Sequence, residues 1–175
     1  AHEQHLLEYA MNKLKKISGM VFYGPVDRLD DKVGVITFNM EEMHPGLVGA
    51  ILGAEGGIGV RNGYFCAQPY AKKLLHVDAD KAEDAGCGVV TTDLSTFPGM
   101  VRASFGCYSN ENDVDAFVEM LEIISRKGYK GTYIQDQDSG AFSAEGFDIN
   151  YAEYFDPFDS KAESKRQQFS ESAWG

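Results

Sequence analysis

Between Glu3 and Ile17 the apolar residues Leu6, Leu7, Ala10, Met11, Leu14 and Ile17 return every three or four positions, while Lys13, Lys15 and Lys16 lie mostly off that stripe. The spacing predicts an amphipathic helix. Its lysines fall where the helix dipole favours cations, and Gly19 is placed to stop it. Met20 to Tyr23 is a short apolar run cut off by Gly24-Pro25, which predicts a strand and a turn. Val26 to Lys32 is a charged connection, and Val33 to Asn39, rich in β-branched and aromatic residues, predicts a second strand. His44-Pro45 opens a helix through Leu52, with proline at a position that needs no N–H partner and Gly53 at the end. Ile58 to Arg61 reads as a third strand, Gln68 to Leu75 as a short helix and Met100 to Tyr108 as a fourth strand. Ser109 to Asp113 supplies caps and acids to a last helix with the stripe Val114, Phe117, Val118, Leu121 and Ile124, closed by Lys127-Gly128.

Two segments break the pattern. His76 to Thr96 is polar and glycine-containing and reads as an insertion or long loop. From Gly131 onward, acidic residues mix with aromatics such as Tyr133, Phe142, Tyr151 and Trp174 without a period. That aromatic content is high for a disordered tail, so the segment is expected to drape over this domain or another one. The alternation of strands and helices predicts an α/β (α+β) fold: a small, mostly antiparallel sheet with helices packed on one face. The organisation expected is one domain over residues 1–130 and an acidic, aromatic extension over 131–175.

Composition narrows the classes. The chain has 175 residues, 43% of them apolar, which suffices for a core. With 16 basic against 27 acidic residues the net charge is −11, which argues against nucleic acid or an anionic membrane as partner. No apolar run is long enough to span a membrane, and the start has no signal-peptide pattern. The first residue is Ala1, and the helical pattern is already running at His2 to His5, which reads as a cut or processed piece of a longer chain. Cys66, Cys87 and Cys107 cannot all pair with one another and fit no metal-ligand spacing, so no metal is expected and a reducing, cytoplasmic setting is the plain reading.

The stretch most suggestive of chemistry is Val60-Arg61-Asn62-Gly63-Tyr64-Phe65-Cys66-Ala67-Gln68-Pro69: a strand, a glycine loop with a thiol at its tip, then a helix. A thiol just ahead of a helix N-terminus has its anionic form favoured by the backbone dipole, and Arg61 adds positive charge nearby. The competing reading is a small, inert thiol, the common fate of free cysteine. Other polar residues carry plainer expectations. His2 and His5 belong on the exposed side of a helix, and His44 caps a helix. Lys72 and Lys73 form a solvated face, Cys107 is a core residue on a strand, and Cys87 is a loop thiol between two glycines.

VRNGYFCAQP resembles the Arg-x-Gly-x-x-Cys-Ala-x-Pro motif that carries the sulfur-accepting cysteine in one group of cysteine desulfurases, within the class V aminotransferase family of pyridoxal-phosphate (PLP) enzymes. Three further segments resemble the family in the same order: HLLEYAMNKLKKISGMVFYGP, FNMEEMHPGLVGAIL and MVRASFGCYSNENDVDAFVEML. Together they resemble the C-terminal small domain, over Glu3 to about Ile124. The resemblance implies that Arg102 grips the α-carboxylate of an amino-acid substrate, L-cysteine in the desulfurases, that Arg61 lines the same pocket, and that Cys66 is the nucleophile that becomes a persulfide. It also implies that PLP is bound by a large domain of the same chain, through a lysine in a Ser-x-His-Lys motif that is not among these residues, and that the full-length protein is a homodimer. The 175-residue chain by itself is then expected to bind no cofactor and to be inactive. Tyr64-Phe65 departs from the His-His pair that the desulfurases often carry, and 76–96 is longer than the usual link. A class V transaminase, lyase or epimerase without persulfide chemistry is the alternative on the same scaffold; a stand-alone protein-binding or sulfur-relay module is the alternative outside it.

Overall fold

The computed structural model describes residues 2–77 and 98–147. Helix α1 (His2–Leu14) leads into β1 (Met20–Tyr23), a single 3-10 turn at Leu29–Asp31, and β2 (Val35–Met40). Helix α2 (Pro45–Gly56), β3 (Arg61–Gly63) and α3 (Gln68–Leu74) follow; β4 (Met100–Ser104) and α4 (Glu111–Ser125) complete the main body. Two short strands, β5 (Tyr133–Gln135) and β6 (Phe142–Ala144), form a separate hairpin. The main sheet has the order β1-β2-β4-β3 with every neighbour antiparallel. This is the α/β architecture the periodicities predict.

Side-chain alternation decides what each sheet face does. Ile36, Phe38 and Met40 on β2, with Val101 and Ala103 on β4, point to one side. There they meet Leu6, Leu7, Met11 and Leu14 of α1, Val48, Ile51 and Leu52 of α2, and Val114, Phe117, Leu121 and Ile124 of α4 in one continuous core. Phe38 and Phe117 meet edge to face at 6.0 Å between centroids. Local signals fix the helix ends. His44 caps α2, its Nδ1 accepting from the Gly46 N–H at 3.1 Å, as the sequence predicts. Helix α2 runs past Gly53 to Gly56 and stops at Gly57, which takes the left-handed conformation at φ 63°. A capping box opens α4: Asn110 Oδ1 accepts from the Asn112 N–H, and Asp113 accepts from the Asn110 N–H. His5 pairs with Glu111 and Lys13 with Asp115, tying the exposed sides of α1 and α4 together.

The fourth strand is shorter than expected. It ends at Ser104, because Gly106 and Ser109 bond to each other across a turn, and this leaves Cys107 exposed rather than in the core. The hairpin β5–β6 packs on α2. Glu55, in the last turn of α2, accepts from the Lys130 and Gly131 backbone N–H groups and the Tyr133 hydroxyl, while Phe142 lies 5.1 Å from the His44 ring. Those donors hold the Glu55 carboxyl below the usual carboxylate range, the Gly131 N–H most strongly. Burial first, and the Glu55 carboxylate second, push the Tyr133 hydroxyl up to about 12. Residues up to Glu145 make one compact unit, and those from Gly146 group separately. Most of the insertion, with Cys87, and the aromatic tail beyond Phe147 lie outside the described residues.

Candidate functional site

The face of the sheet turned away from the three helices carries the candidate residues. Pairing in register sets Tyr23 opposite Thr37, Thr37 opposite Arg102, and Arg102 opposite Arg61. Opposed residues of antiparallel strands project to the same side, so these four form a row across all four strands. Because Val101 and Ala103 are in the core, Arg102 must point the other way.

Beyond β3 the chain turns sharply. Gly63 sits at φ 100°, and a Cβ on Gly99 would come within 2.9 Å of the Gly63 Cα, so this approach of β3 to β4 requires glycine. Tyr64 is buried with Ala71 of α3 and Met100 of β4. Phe65 and Cys66 then both take left-handed conformations, at φ 55° and 61°, and the Ala67 N–H closes the turn on the Tyr64 carbonyl at 2.8 Å. Two such non-glycine residues in succession store about 1–3 kcal/mol each, a feature that recurs at binding and reaction sites. The turn leaves Cys66 exposed, two residues ahead of α3, and sends the Phe65 ring back over Arg102, whose guanidinium carbon lies 5.0 Å from the ring centroid. The loop that carries the thiol and the strand that carries the arginine therefore touch, and Arg61 lies beside them.

The electrostatics of the row are one-sided. Neither Arg61 nor Arg102 has a carboxylate partner among the described residues, although the whole chain is acidic. The Nε of Arg102 is buried with no hydrogen-bond acceptor. Next to the row is a cleft of about 350 Å³ whose walls include Tyr23, Lys32, Thr37, Tyr64, Phe65 and Tyr70. Burial raises the tyrosine hydroxyls of Tyr23 and Tyr64 and lowers the Lys32 ammonium. The cleft is mostly apolar and aromatic, with Asp31 and Lys32 both on its walls, and Phe65 and Ala67, the residues on either side of Cys66, also line it. No cluster of histidine, cysteine or acid that could hold a metal occurs among the described residues. Sequence reasoning missed Phe65 and Thr37 as neighbours of Arg102, and Tyr23 as the next residue along the row. The alternation around Val101 and Ala103 could have set the face of Arg102, but strand register is not written locally.

The fold is a small α/β domain with a four-stranded antiparallel sheet, three helices on one face and a row of polar and charged residues on the other. The profile of the class-V aminotransferase family matches residues 1–117, and the chain belongs to that family. It is 37% identical over 121 residues to a probable cysteine desulfurase of Halalkalibacterium halodurans, an alignment that covers 69% of this chain and 23% of the relative. A probable cysteine desulfurase of Staphylococcus epidermidis is 37% identical over the same length. Among solved structures, an apo cysteine desulfurase from Thermococcus onnurineus superposes with a TM-score of 0.55 at 29% identity, covering 71% of this chain and 25% of the other. The cysteine desulfurase CsdA of Escherichia coli shares the fold, with a TM-score of 0.52 and 23% identity. The chain thus spans about a quarter of the length of these relatives. The hairpin β5–β6 lies beyond the residues the family profile matches.

Proposed function

We propose that the chain supplies the substrate-binding rim of a PLP-dependent cysteine desulfurase whose cofactor is held by a large domain of the longer protein. One observation carries this reading: two arginines without carboxylate partners among the described residues stand in register beside the loop of an exposed cysteine. A planar guanidinium recognises a carboxylate by paired hydrogen bonds, so Arg102 fits the α-carboxylate of an amino acid, and Arg61 adds charge on the same face. The orphaned Nε of Arg102 and the cleft beside it suit the substrate side of PLP rather than the anchoring of PLP itself. When bound, that cofactor supplies the electron sink for chemistry at the amino acid's α-carbon.

The chain's own residues do the rest. Arg102 orients the substrate by its carboxylate, and the walls of the cleft exclude water from it. The Cys66 sulfur attacks the substrate sulfur. An S–S bond forms, the Cβ–S bond breaks, and its electron pair stays with the carbon framework. L-cysteine and a thiol become alanine and a Cys66 persulfide, with no outside oxidant needed. The longer protein is read as a cytoplasmic homodimer, and the 175-residue chain alone as inactive. The deciding experiment incubates the full-length PLP-loaded protein with L-cysteine and measures alanine, together with the mass added to the Cys66 peptide. Alanine formation with 32 Da on Cys66, both lost in Cys66→Ala, is the result expected. Unchanged turnover in Cys66→Ala removes the persulfide step and leaves a class V transaminase, lyase or epimerase that uses Arg102 alone.

A further inference from the structure

We propose that Phe65 is a positioning residue, which holds the Arg102 guanidinium ready for a carboxylate beside the loop of Cys66; this rests on the reading of Arg102 as the carboxylate-binding group. A long arginine side chain loses much rotamer freedom when fixed, so something must hold it before the ligand arrives. Proteins commonly do this with an aspartate or glutamate. Here the ion pairs among the described residues include neither Arg102 nor Arg61. The cross-strand neighbours of Arg102 are Thr37, which is uncharged, and Arg61, which repels it. The Phe65 ring, 5.0 Å from the guanidinium carbon, is the attractive partner that the geometry provides.

An aromatic brace differs from a carboxylate brace in one useful way. It attracts the cation through its ring quadrupole and leaves the positive charge uncompensated for a ligand. It also uses no acceptor, so the N–H groups of the guanidinium edge stay available for hydrogen bonds. The left-handed backbone at Phe65, φ 55°, is what turns the ring back toward β4 while the next residue carries the thiol outward. The residue that braces the arginine thus directly precedes the one that carries the thiol.

The test compares alkylation of Cys66 by iodoacetate and by iodoacetamide, scored by peptide mass spectrometry against N-acetylcysteinamide as an uncharged reference thiol. The two reagents differ by one carboxylate, so their rate ratio reads the anion preference at Cys66 and cancels the exposure of the loop. In the unaltered protein the ratio is expected to exceed that of the reference, against a net charge of −11 that disfavours anions elsewhere. Phe65→Leu should lower the ratio about threefold, Phe65→Tyr should preserve it, and Arg102→Gln should bring it to the reference or below. In the full-length enzyme, Phe65→Leu should raise KM for the amino acid about three- to tenfold and leave kcat within about twofold. If the ratio falls in Arg102→Gln but not in Phe65→Leu, or falls equally in Phe65→Tyr, the role of the ring is overturned while carboxylate recognition stands. A ratio in the unaltered protein no higher than the reference overturns both.

Discussion

The two faces of the same four-stranded sheet are built to opposite rules. On the helix side, Ile36, Phe38, Met40, Val101 and Ala103 meet three helices in a core of apolar side chains. On the other side, the residues between them are Thr37, Asn39 and Arg102, and here lie the buried and unpartnered Asn39 Oδ1 and Arg102 Nε. One face is a continuous core; the other carries only the smaller cluster of Tyr64, Ala71 and Met100 and leaves hydrogen-bonding capacity unmet beside it. Strand alternation lets a single pair of central strands serve both ends, because adjacent residues never share a side.

The contrast can be broken most strongly from the core. Phe38→Ala, at a fully buried position against Phe117, should cost about 3–5 kcal/mol in urea unfolding. On the other face the same experiment should give the opposite sign. Arg102→Met removes a buried donor without an acceptor and should leave stability unchanged or raise it by about 1 kcal/mol; under the proposed function it should also lower kcat/KM of the full-length protein for L-cysteine by about 10- to 100-fold. Destabilisation of more than 2 kcal/mol by Arg102→Met would show that the arginine is structural.

Smaller effects test how the hairpin is joined to α2. Glu55→Gln weakens the bonds to Lys130, Gly131 and Tyr133 and should cost about 1–2 kcal/mol, seen as faster amide exchange in residues 131–145. The same contact depends on pH at both ends. Glu55 is depressed in the folded state, so its contribution is present above its ordinary value of 4.5 and is lost as pH falls through the lowered one. Tyr133 is raised, so its contribution is complete below 10 and fades as pH rises toward about 12. The hairpin's resistance to unfolding, followed by tyrosine fluorescence in urea titrations at each pH from neutral outward, should fall in both windows. The smallest effect expected is Asn110→Ala, which removes the cap of α4 at about 1 kcal/mol in thermal unfolding.

Local chemistry made most of the body legible. The stripes of α1 and α4 and the His44-Pro45 start of α2 are set by residues a few positions apart, and they stand as read. Boundaries shifted where a turn overrode the strand pattern, as at Ser104, where the Gly106–Ser109 turn took Cys107 out of the sheet. The hairpin was illegible because its two strands are three residues each and its anchor, Glu55, lies 75 residues away from Lys130 in the chain.

The chain's own order of residues determined which elements form, which stripes are buried and which side chains could carry chemistry, because those depend on spacing over one or two turns. Only the tertiary structure decided which of them meet. The register of β3 on β4 brought Arg61 beside Arg102, and the left-handed turn at Phe65 and Cys66 laid a ring on one of those arginines. Pairings of that kind depend on contacts between residues far apart in the chain, and no local pattern encodes them.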